Sequence, residues 1–324
     1  MKQNVQNKRP LLLMLTALIW GVAFVAQSVG MEYVGPFTFN SVRFLIGSLV
    51  LLPMVLRNRH GRENDVLQYQ ENQENQVNQE IKENQESKEN SKSNRNTKSK
   101  RNLWLGGLLC GLALCVASCL QQFGIAYTTV GKAGFITAMY IVIVPLLSIF
   151  LGKKPGRLVW FGVALATVGL YFLCMMEGFS VGIGDLYVLA CALVFSVHIL
   201  LIDHFSPQVD GVALSCIQFL VSGLVAGVAA LLWETPSISA ILTAWAPVLY
   251  AGVLSSGVGY TLQIIGQKGV DPTVASLILS LESVFSVLAG WVLLHQSLSG
   301  RELMGCGFMA VAIVLAQLPE KKKS

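Results

Sequence analysis

Apolar runs about twenty residues long recur along the chain, and short polar turns separate most of them. A run of about 20 apolar residues forms a helix long enough to cross the hydrocarbon core of a bilayer. We therefore expect an all-α membrane protein. The pattern predicts ten membrane-spanning helices, at residues 11–30, 36–56, 103–126, 133–151, 157–176, 185–203, 212–232, 244–266, 272–294 and 301–318.

The composition agrees with this fold class and argues against several functions. Hydrophobic residues make up 53% of the chain and charged residues 13%, whereas a soluble domain carries about 25% charged residues. The net charge of +5 comes from basic residues beside the predicted span ends, so nucleic-acid binding is not expected. The seven cysteines all lie within apolar runs. This placement favours neither a disulfide framework nor a metal site, and we expect no cofactor.

A long polar stretch interrupts the chain between the second and third predicted spans. Residues 57–102 are rich in Asn, Gln, Glu, Lys and Ser and offer almost nothing apolar to bury. Such a composition favours disorder, so we expect a disordered polar insert in the cytoplasm. The expected organisation is spans 1 and 2 of a first repeat at 1–56, the insert at 57–102, spans 3 to 5 at 103–178, and a second repeat at 179–320.

A weak internal repeat relates the two halves of the chain. An offset of 142 residues aligns LQQFG at 120–124 with LQIIG at 262–266, and the same offset sets Tyr140 opposite Glu282. Each half then holds five spans. Because five is an odd number, the second half must enter the membrane from the opposite side. The sequence thus predicts two inverted five-helix repeats, which are typical of secondary transporters.

The basic residues predict the orientation in the membrane. One side receives the N-terminus, the insert and most of the Lys and Arg residues outside them, whereas the other side receives only Lys132 and Arg301. Cytoplasmic loops carry such an excess of positive charge. We therefore expect a multi-pass protein of the cytoplasmic membrane with both termini in the cytoplasm. The loop at 203–210 is an exception, since it should lie inside yet has no Lys or Arg.

Several segments together resemble the EamA-type branch of the drug/metabolite transporter superfamily, and the resemblance covers everything except the insert. They are LIWGVAFV at 18–25, PFTFNSVRFLIGSLVLLP at 36–53, GKAGFITAMYIVIVPLLSIFL at 131–151, and a closing segment at 281–317 that begins LESVF. That family typically has Leu-Glu-Pro-Val at the start of the closing segment and a Gly-Glu pair before the next turn. This chain departs at both places, with Ser283 for the Pro and His295-Gln296 for Gly-Glu. The resemblance implies a central cavity lined by the first four spans of each half, with the fifth and tenth spans peripheral.

Polar side chains within the predicted spans mark the expected substrate and ion pathway. A charged side chain in the middle of a membrane is costly, so its default interpretation is functional. Glu282 lies near the centre of the ninth span and Arg43 within the second. We hypothesise that these two pair in one conformation, and that substrate or a proton competes for Glu282 in another. The candidate pathway residues are Asn40, Arg43, Gln121, Tyr140, His198, Gln218, Gln263 and Glu282.

Each of the strongest candidates also has a purely structural interpretation. Neighbouring helices could satisfy Glu282, and Arg43 could extend to the outer interface or hold backbone carbonyls. His198 could serve a proton relay, because histidine changes charge between pH 5 and 8, or it could be a hydrogen-bonded core residue. Tyr140, at the position equivalent to Glu282, is a candidate for a hydroxyl that faces the substrate.

These observations favour a secondary active transporter and not an enzyme. We expect it to move a small organic metabolite, an amino acid-like compound or a drug across the cytoplasmic membrane by alternating access. The chain has no G-x-x-x-x-G-K-[ST] nucleotide-binding loop, so a gradient of protons, of another ion or of the substrate must supply the energy. Export is the direction that the resemblance implies.

Two other functions stay open from the residues alone. An intramembrane enzyme that acts on lipids or prenyl groups would need clustered acid–base residues or metal ligands near one interface, and the sequence shows no such cluster. A non-transporting membrane scaffold would act through the insert at 57–102. The expected partners are a small-molecule substrate, the lipid bilayer and a coupling proton or other ion, and a homodimer is an open alternative.

Overall fold

The computed structural model describes residues 9–74, 82–128, 130–153, 155–174, 182–293 and 299–317. Within these ranges the regular secondary structure is helical, with no strand. Among the described residues, eight helical stretches, three of which join consecutive helices, are long and apolar enough to cross a membrane by length and composition. The expected all-α fold is thus confirmed, and the eight stretches support a multi-pass membrane protein. The arrangement of ten spans in two inverted repeats stays a prediction.

Most predicted spans correspond to one helix each, and three, the fourth, eighth and ninth, are divided. The first-half helices are α1 (Arg9–Gly30), α2 (Pro36–Glu74), α3 (Lys82–Tyr127), α4 (Val130–Ala138), α5 (Tyr140–Phe150) and α6 (Arg157–Cys174). The second half begins with α7 (Ile183–Phe205), α8 (Gly211–Trp233) and the short α9 (Ile238–Thr243). It continues with α10 (Trp245–Leu249), a π-helix (Tyr250–Tyr260), α11 (Thr261–Gln267), α12 (Pro272–Leu279), α13 (Leu281–Leu293) and α14 (Gly300–Gln317).

The helices α2 and α3 extend beyond the predicted spans into the polar insert. Helical backbone covers residues 57–74 and 82–102, which differs from the disorder predicted for 57–102, and residues 75–81 lie outside the described residues. Glu, Gln and Lys have high helix propensity, and lengthening an existing helix avoids the costly first turn. Helix that continues into the insert is therefore physically reasonable. The division into two repeats and an insert stays a prediction.

The helices of the two halves pack on each other, with α2 against α8 and α3 against α7 and α8. Close approach depends on glycine at the contact between α3 and α8. A Cβ atom on Gly111 would lie 2.8 Å from the backbone oxygen of Gln218, and Ser222 Oγ donates a 2.7 Å hydrogen bond to the Gly111 carbonyl. Small residues that let helix backbones approach are typical of membrane helix pairs.

The fifth and tenth predicted spans, now α6 and α14, pack mainly on one another. A Cβ atom on Gly162 would lie 2.9 Å from the backbone oxygen of Ala312, so the two backbones nearly touch there. Neither helix is among the eight that meet the length and hydropathy limits for a span; the apolar part of α6 at Arg157–Phe172 is shorter. Their mutual packing agrees with a peripheral position.

The fourth and ninth predicted spans are interrupted at matching places. Between α4 and α5 the backbone tightens at Met139 (φ −59°, ψ −11°), and between α12 and α13 it tightens at Ser280 (φ −62°, ψ −11°). The offset of 142 residues brings these two interruptions within one residue of each other. Tyr140 directly follows the first and Glu282 lies two residues after the second, so both side chains start a new half-helix.

The loop at 203–210 has no basic residue of its own, and a lysine of a neighbouring loop forms an ion pair at its start. Lys153 Nζ forms an ion pair with Asp203 at the C-terminal end of α7, with the two side chains 36% and 18% exposed. The following loop also contacts α3, because Asn102 Nδ2 donates to Gln208 Oε1 at 2.7 Å. The ends of α5 and α7 and the start of the span in α3 therefore lie on one side of the molecule.

Candidate functional site

A small cavity lies at the centre of the helices and takes lining residues from both halves of the chain. Its space for water is about 30 Å³, enough for about two water molecules. Drug-sized ligands need pockets of about 300–1,000 Å³, so an organic molecule of that size requires the cavity to widen. The lining residues are Trp20, Ala23, Phe24, Gln27, Arg43, Gln121, Thr137, Tyr140, Phe195, Ile199, Ser255, Tyr260, Gln263, Leu279 and Glu282.

The structure brings five of the eight predicted pathway residues to this cavity. Arg43, Gln121 and Tyr140 come from the first half, and Gln263 and Glu282 come from the second. Their helices are α2, α3, α5, α11 and α13. The lining agrees with the cavity implied by the sequence resemblance, except that α8 supplies none of the lining residues within the described ranges.

Tyr140 and Glu282 contact each other directly at the cavity wall. The hydroxyl Oη of Tyr140 donates a hydrogen bond of 2.9 Å to Glu282 Oε1, and the two side chains are 3% and 4% exposed. A second bond joins the same pair of spans, from Ser283 Oγ to the Gly134 carbonyl at 3.2 Å. Ser283 therefore uses its hydroxyl at the position where the family typically has proline. The other departure, at 295–296, lies outside the described residues.

Arg43 is almost fully buried and is held in place by two kinds of contact. Its Nη1 donates to Gln27 Oε1 at 3.2 Å, and its Cζ lies 4.6 Å from the centroid of the Phe44 ring. A guanidinium over an aromatic face gains a cation–π attraction. In this conformation the described residues show no ion pair between Arg43 and Glu282, although both line the cavity. The hypothesis that they pair in another conformation stays a prediction.

His198, Gln218 and Asn40 do not line the cavity. The imidazole Nε2 of His198 lies 3.1 Å from Gln218 Oε1, within hydrogen-bond distance, and both side chains have 0% exposure. The His198 ring packs edge-on against Tyr260 at 6.1 Å between centroids, so this pair lies behind the cavity wall. Asn40 Nδ2 donates to Cys119 Sγ at 3.5 Å. The geometry favours hydrogen-bonded core roles, and the relay role of His198 stays a prediction.

Aromatic residues form a wall of the cavity, and three of them, Trp20, Phe24 and Phe195, were not predicted from the sequence. Trp20 and Tyr260 pack with ring centroids 4.5 Å apart, and Phe24 and Phe195 line the same cavity. Gln27, which holds Arg43, also lies there. Trp20 lies in the first segment of the sequence resemblance, at 18–25, and its place in that segment is the sequence signal that could have identified it as a cavity residue. Hydropathy alone does not distinguish an aromatic side chain that faces lipid from one that faces a cavity.

Three hydrogen bonds join the π-helix to α1 and hold this wall of the cavity in place. Trp20 Nε1 donates to the Ser255 carbonyl at 3.3 Å, Thr16 Oγ1 to the Gly259 carbonyl at 3.2 Å, and the Tyr250 hydroxyl to the Ile19 carbonyl at 3.0 Å. Short π-helical segments occur frequently at functional sites. The described residues contain no group of three or more His, Cys, Asp and Glu side chains that could hold a metal.

Comparison with known proteins agrees with this architecture. The profile of the EamA-like transporter family matches residues 8–68, 90–175 and 182–318. The chain belongs to the EamA-like transporter family. The sequence resemblance to the EamA-type branch of the drug/metabolite transporters is thereby confirmed, and the family supports a membrane transporter.

Similar proteins carry matching descriptions. An "Uncharacterized transporter" of Archaeoglobus fulgidus is 28% identical over 307 residues, which cover 94% of this chain and 84% of that protein. An "Uncharacterized transporter" of Clostridium kluyveri is 21% identical over 332 residues, which cover 98% of this chain and 95% of that protein. A solved structure described as "Crystal structure of protein" has a TM-score of 0.72 at 19% identity over 96% of both chains, which shows a shared fold.

Proposed function

We propose that this EamA-family protein is a secondary active transporter that moves a small organic molecule across the cytoplasmic membrane by alternating access. The observation that carries the proposal is the hydrogen bond between Tyr140 and Glu282, which joins the two halves at the wall of a central cavity. A carboxylate in this position can bind a proton or a cationic group, and its charge then decides which ligand the cavity favours. In this proposal Glu282 is the coupling site.

The same bond supports an inverted repeat of five helices in each half. Two residues that a two-fold axis relates can contact each other only where they lie beside that axis. Tyr140 and Glu282 stand at the aligned positions of the two halves and are in contact. Discontinuous helices in corresponding positions of two inverted halves are characteristic of transporter substrate sites, and the interruptions at Met139 and Ser280 fit that description.

Alternating access in this proposal requires the cavity to open to each side in turn. The space of about 30 Å³ is too small for a drug-sized molecule, so this conformation corresponds to a closed one. We place both termini and the ion pair of Lys153 with Asp203 on the cytoplasmic side, since that side holds the excess of basic residues. Export, as the sequence resemblance implies, is the proposed direction.

Flux measurements in proteoliposomes test the proposal. The full-length protein is reconstituted, and uptake of a pooled metabolite and dye library is measured with and without a pH gradient. The variants are Glu282→Gln and, as a matched control, Glu32→Gln, because Glu32 is an exposed carboxylate outside the cavity. We expect gradient-driven flux in the wild type and in Glu32→Gln, and its loss in Glu282→Gln.

The other outcomes test separately the role of Glu282, the identity of the coupling ion and transport itself. Flux that persists in Glu282→Gln with the same dependence on the gradient would show that Glu282 is structural and would move the coupling site elsewhere. If wild-type flux is independent of the pH gradient but depends on the gradient of another ion, that ion and not the proton is the coupling ion. Absence of flux for every compound in the pool would count against the transporter itself.

A further inference from the structure

The guanidinium of Arg43 has an edge that no described residue satisfies. Its Nη1 is bonded to Gln27, whereas Nε and Nη2 have no hydrogen-bond partner among the described residues, and both atoms are buried. The whole side chain is 1% exposed. A guanidinium keeps its charge in proteins, and buried polar groups without partners are costly. A group other than the described side chains must therefore accept hydrogen bonds from these two nitrogen atoms during the transport cycle.

The unsatisfied atoms have the geometry of a two-donor fork. In a guanidinium, Nε–H and one N–H of Nη2 point in parallel along one edge, and that edge matches the two oxygens of a carboxylate. The bond to Gln27 at 3.2 Å and the Phe44 ring at 4.6 Å hold the plane of Arg43 from two other directions. The side chain is thus fixed before any ligand arrives, and the fork is the part without a hydrogen-bond partner.

The surroundings favour an anion that comes from outside the protein. Arg43 lines the cavity, and the acidic side chain of that lining, Glu282, is bonded to Tyr140 and forms no ion pair with Arg43 in the described structure. Water can occupy the space of about 30 Å³, but water carries no counter-charge. A charge in a site poor in water is stabilised most by an opposite charge at hydrogen-bond distance.

We propose that the Nε–Nη2 edge of Arg43 binds the carboxylate of the transported substrate, and that Gln27 positions the guanidinium for it. The inference rests on the proposed function, since it assigns the substrate class of the same cavity. The apolar body of the substrate then lies along the wall that includes Trp20 and Phe24. The substrate is an organic carboxylate.

Matched pairs of acids and amides test this assignment, because each pair keeps the carbon skeleton and removes only the charge. The probes are lactate and lactamide, mandelate and mandelamide, and gluconate and gluconamide. Binding to the purified full-length protein is measured by thermal stabilisation and calorimetry, and flux is measured in proteoliposomes against protein-free vesicles. We expect at least one acid to bind the wild type about tenfold or more tightly than its amide.

Two arginine variants separate the fork from simple charge. Arg43→Lys keeps a positive charge but has no parallel donor edge, so we expect the preference for acid over amide to fall by about tenfold or more. Arg301→Lys is the matched control, because Arg301 also lies over an aromatic ring, 5.5 Å from the Tyr171 centroid, but not at the cavity. Its preference should equal that of the wild type.

The outcomes distinguish failure of the fork from failure of transport. If acids bind through Arg43 but no flux is measured, the carboxylate site at Arg43 is supported and the proposed transport function is wrong. Flux of amides or cations with no preference for acids would support the transporter and overturn the fork. If no acid binds better than its amide, or if Arg43→Lys retains the full preference while its thermal unfolding is unchanged, the fork is wrong.

Discussion

The hydroxyl of Tyr140 donates a 2.9 Å hydrogen bond to the carboxylate of Glu282, and the two residues are 142 positions apart. That separation is the offset that aligns the two halves of the chain. The pair therefore links equivalent positions at one wall of the cavity. Because both side chains are buried, neither can exchange its partner freely for water.

Tyr140→Phe should lower gradient-driven flux by about 10- to 100-fold, because a hydrogen bond to a charged group contributes about 1.5–3 kcal/mol. Because flux is expected to be lost in Glu282→Gln, the double-mutant cycle of these two variants is measured on the free energy of unfolding. If the two residues act through their mutual bond, the double variant should be hardly less stable than Glu282→Gln alone. Strictly additive losses of stability would contradict that conclusion.

Gln27→Leu should weaken both folding and substrate binding, because it removes the acceptor of Arg43 Nη1. The unfolding free energy is expected to fall by about 1–3 kcal/mol, the cost of leaving a buried donor without a partner. Gln27→Glu is the companion variant. It restores an acceptor and adds a negative charge, so it should recover stability while it blocks binding of acids. Thermal unfolding and calorimetry with mandelate check both, and recovery of acid binding in Gln27→Glu would argue against the fork.

Glu234, just after the C-terminal end of α8, caps the start of α2. Its carboxylate accepts from the backbone N–H of Phe37 at 2.9 Å, from that of Thr38 at 2.8 Å and from the Thr38 hydroxyl at 2.6 Å. Glu234→Ala should destabilise the protein by about 1–2 kcal/mol, the usual cost of losing an N-terminal cap. Glu234→Gln keeps one acceptor oxygen and should cost less. Thermal unfolding in detergent compares the two, and equal stability of wild type and Glu234→Ala would contradict the cap.

Removal of residues 64–100 should leave transport unchanged within about a factor of two. The segment belongs to the polar insert, and each lining residue of the cavity lies outside it. Flux in proteoliposomes checks the expectation, with expression level and thermal unfolding as controls. A deleted protein that inserts and unfolds like the wild type but carries nothing would indicate that the insert takes part in function, as a scaffold role requires.

Length and hydropathy were enough to predict the helices but not which face of each helix turns inward. Lipid and protein interior are both apolar, so the sequence could not show that Trp20 faces the cavity. It also could not show that His198 is paired with Gln218 behind the wall. Glu282 and Tyr140 were found because burying a carboxylate is costly and because the repeat offset joins them. The π-helix could not be predicted from the sequence, because the length of an apolar run is the same whether its turns are α-helical or wider.

The π-helix at Tyr250–Tyr260 makes the lining of the cavity sensitive to chain length at that point. A π-helix, with its i→i+5 bonds, holds more residues in a turn than an α-helix, so gain or loss of one residue there changes which of its own side chains face the cavity. Ser255 and Tyr260, which the π-helix supplies to the lining, would then give way to neighbouring side chains. Single-residue insertions and deletions within this segment, rather than substitutions, are thus a route by which related transporters could exchange the chemistry of one wall while the remaining helices keep their positions.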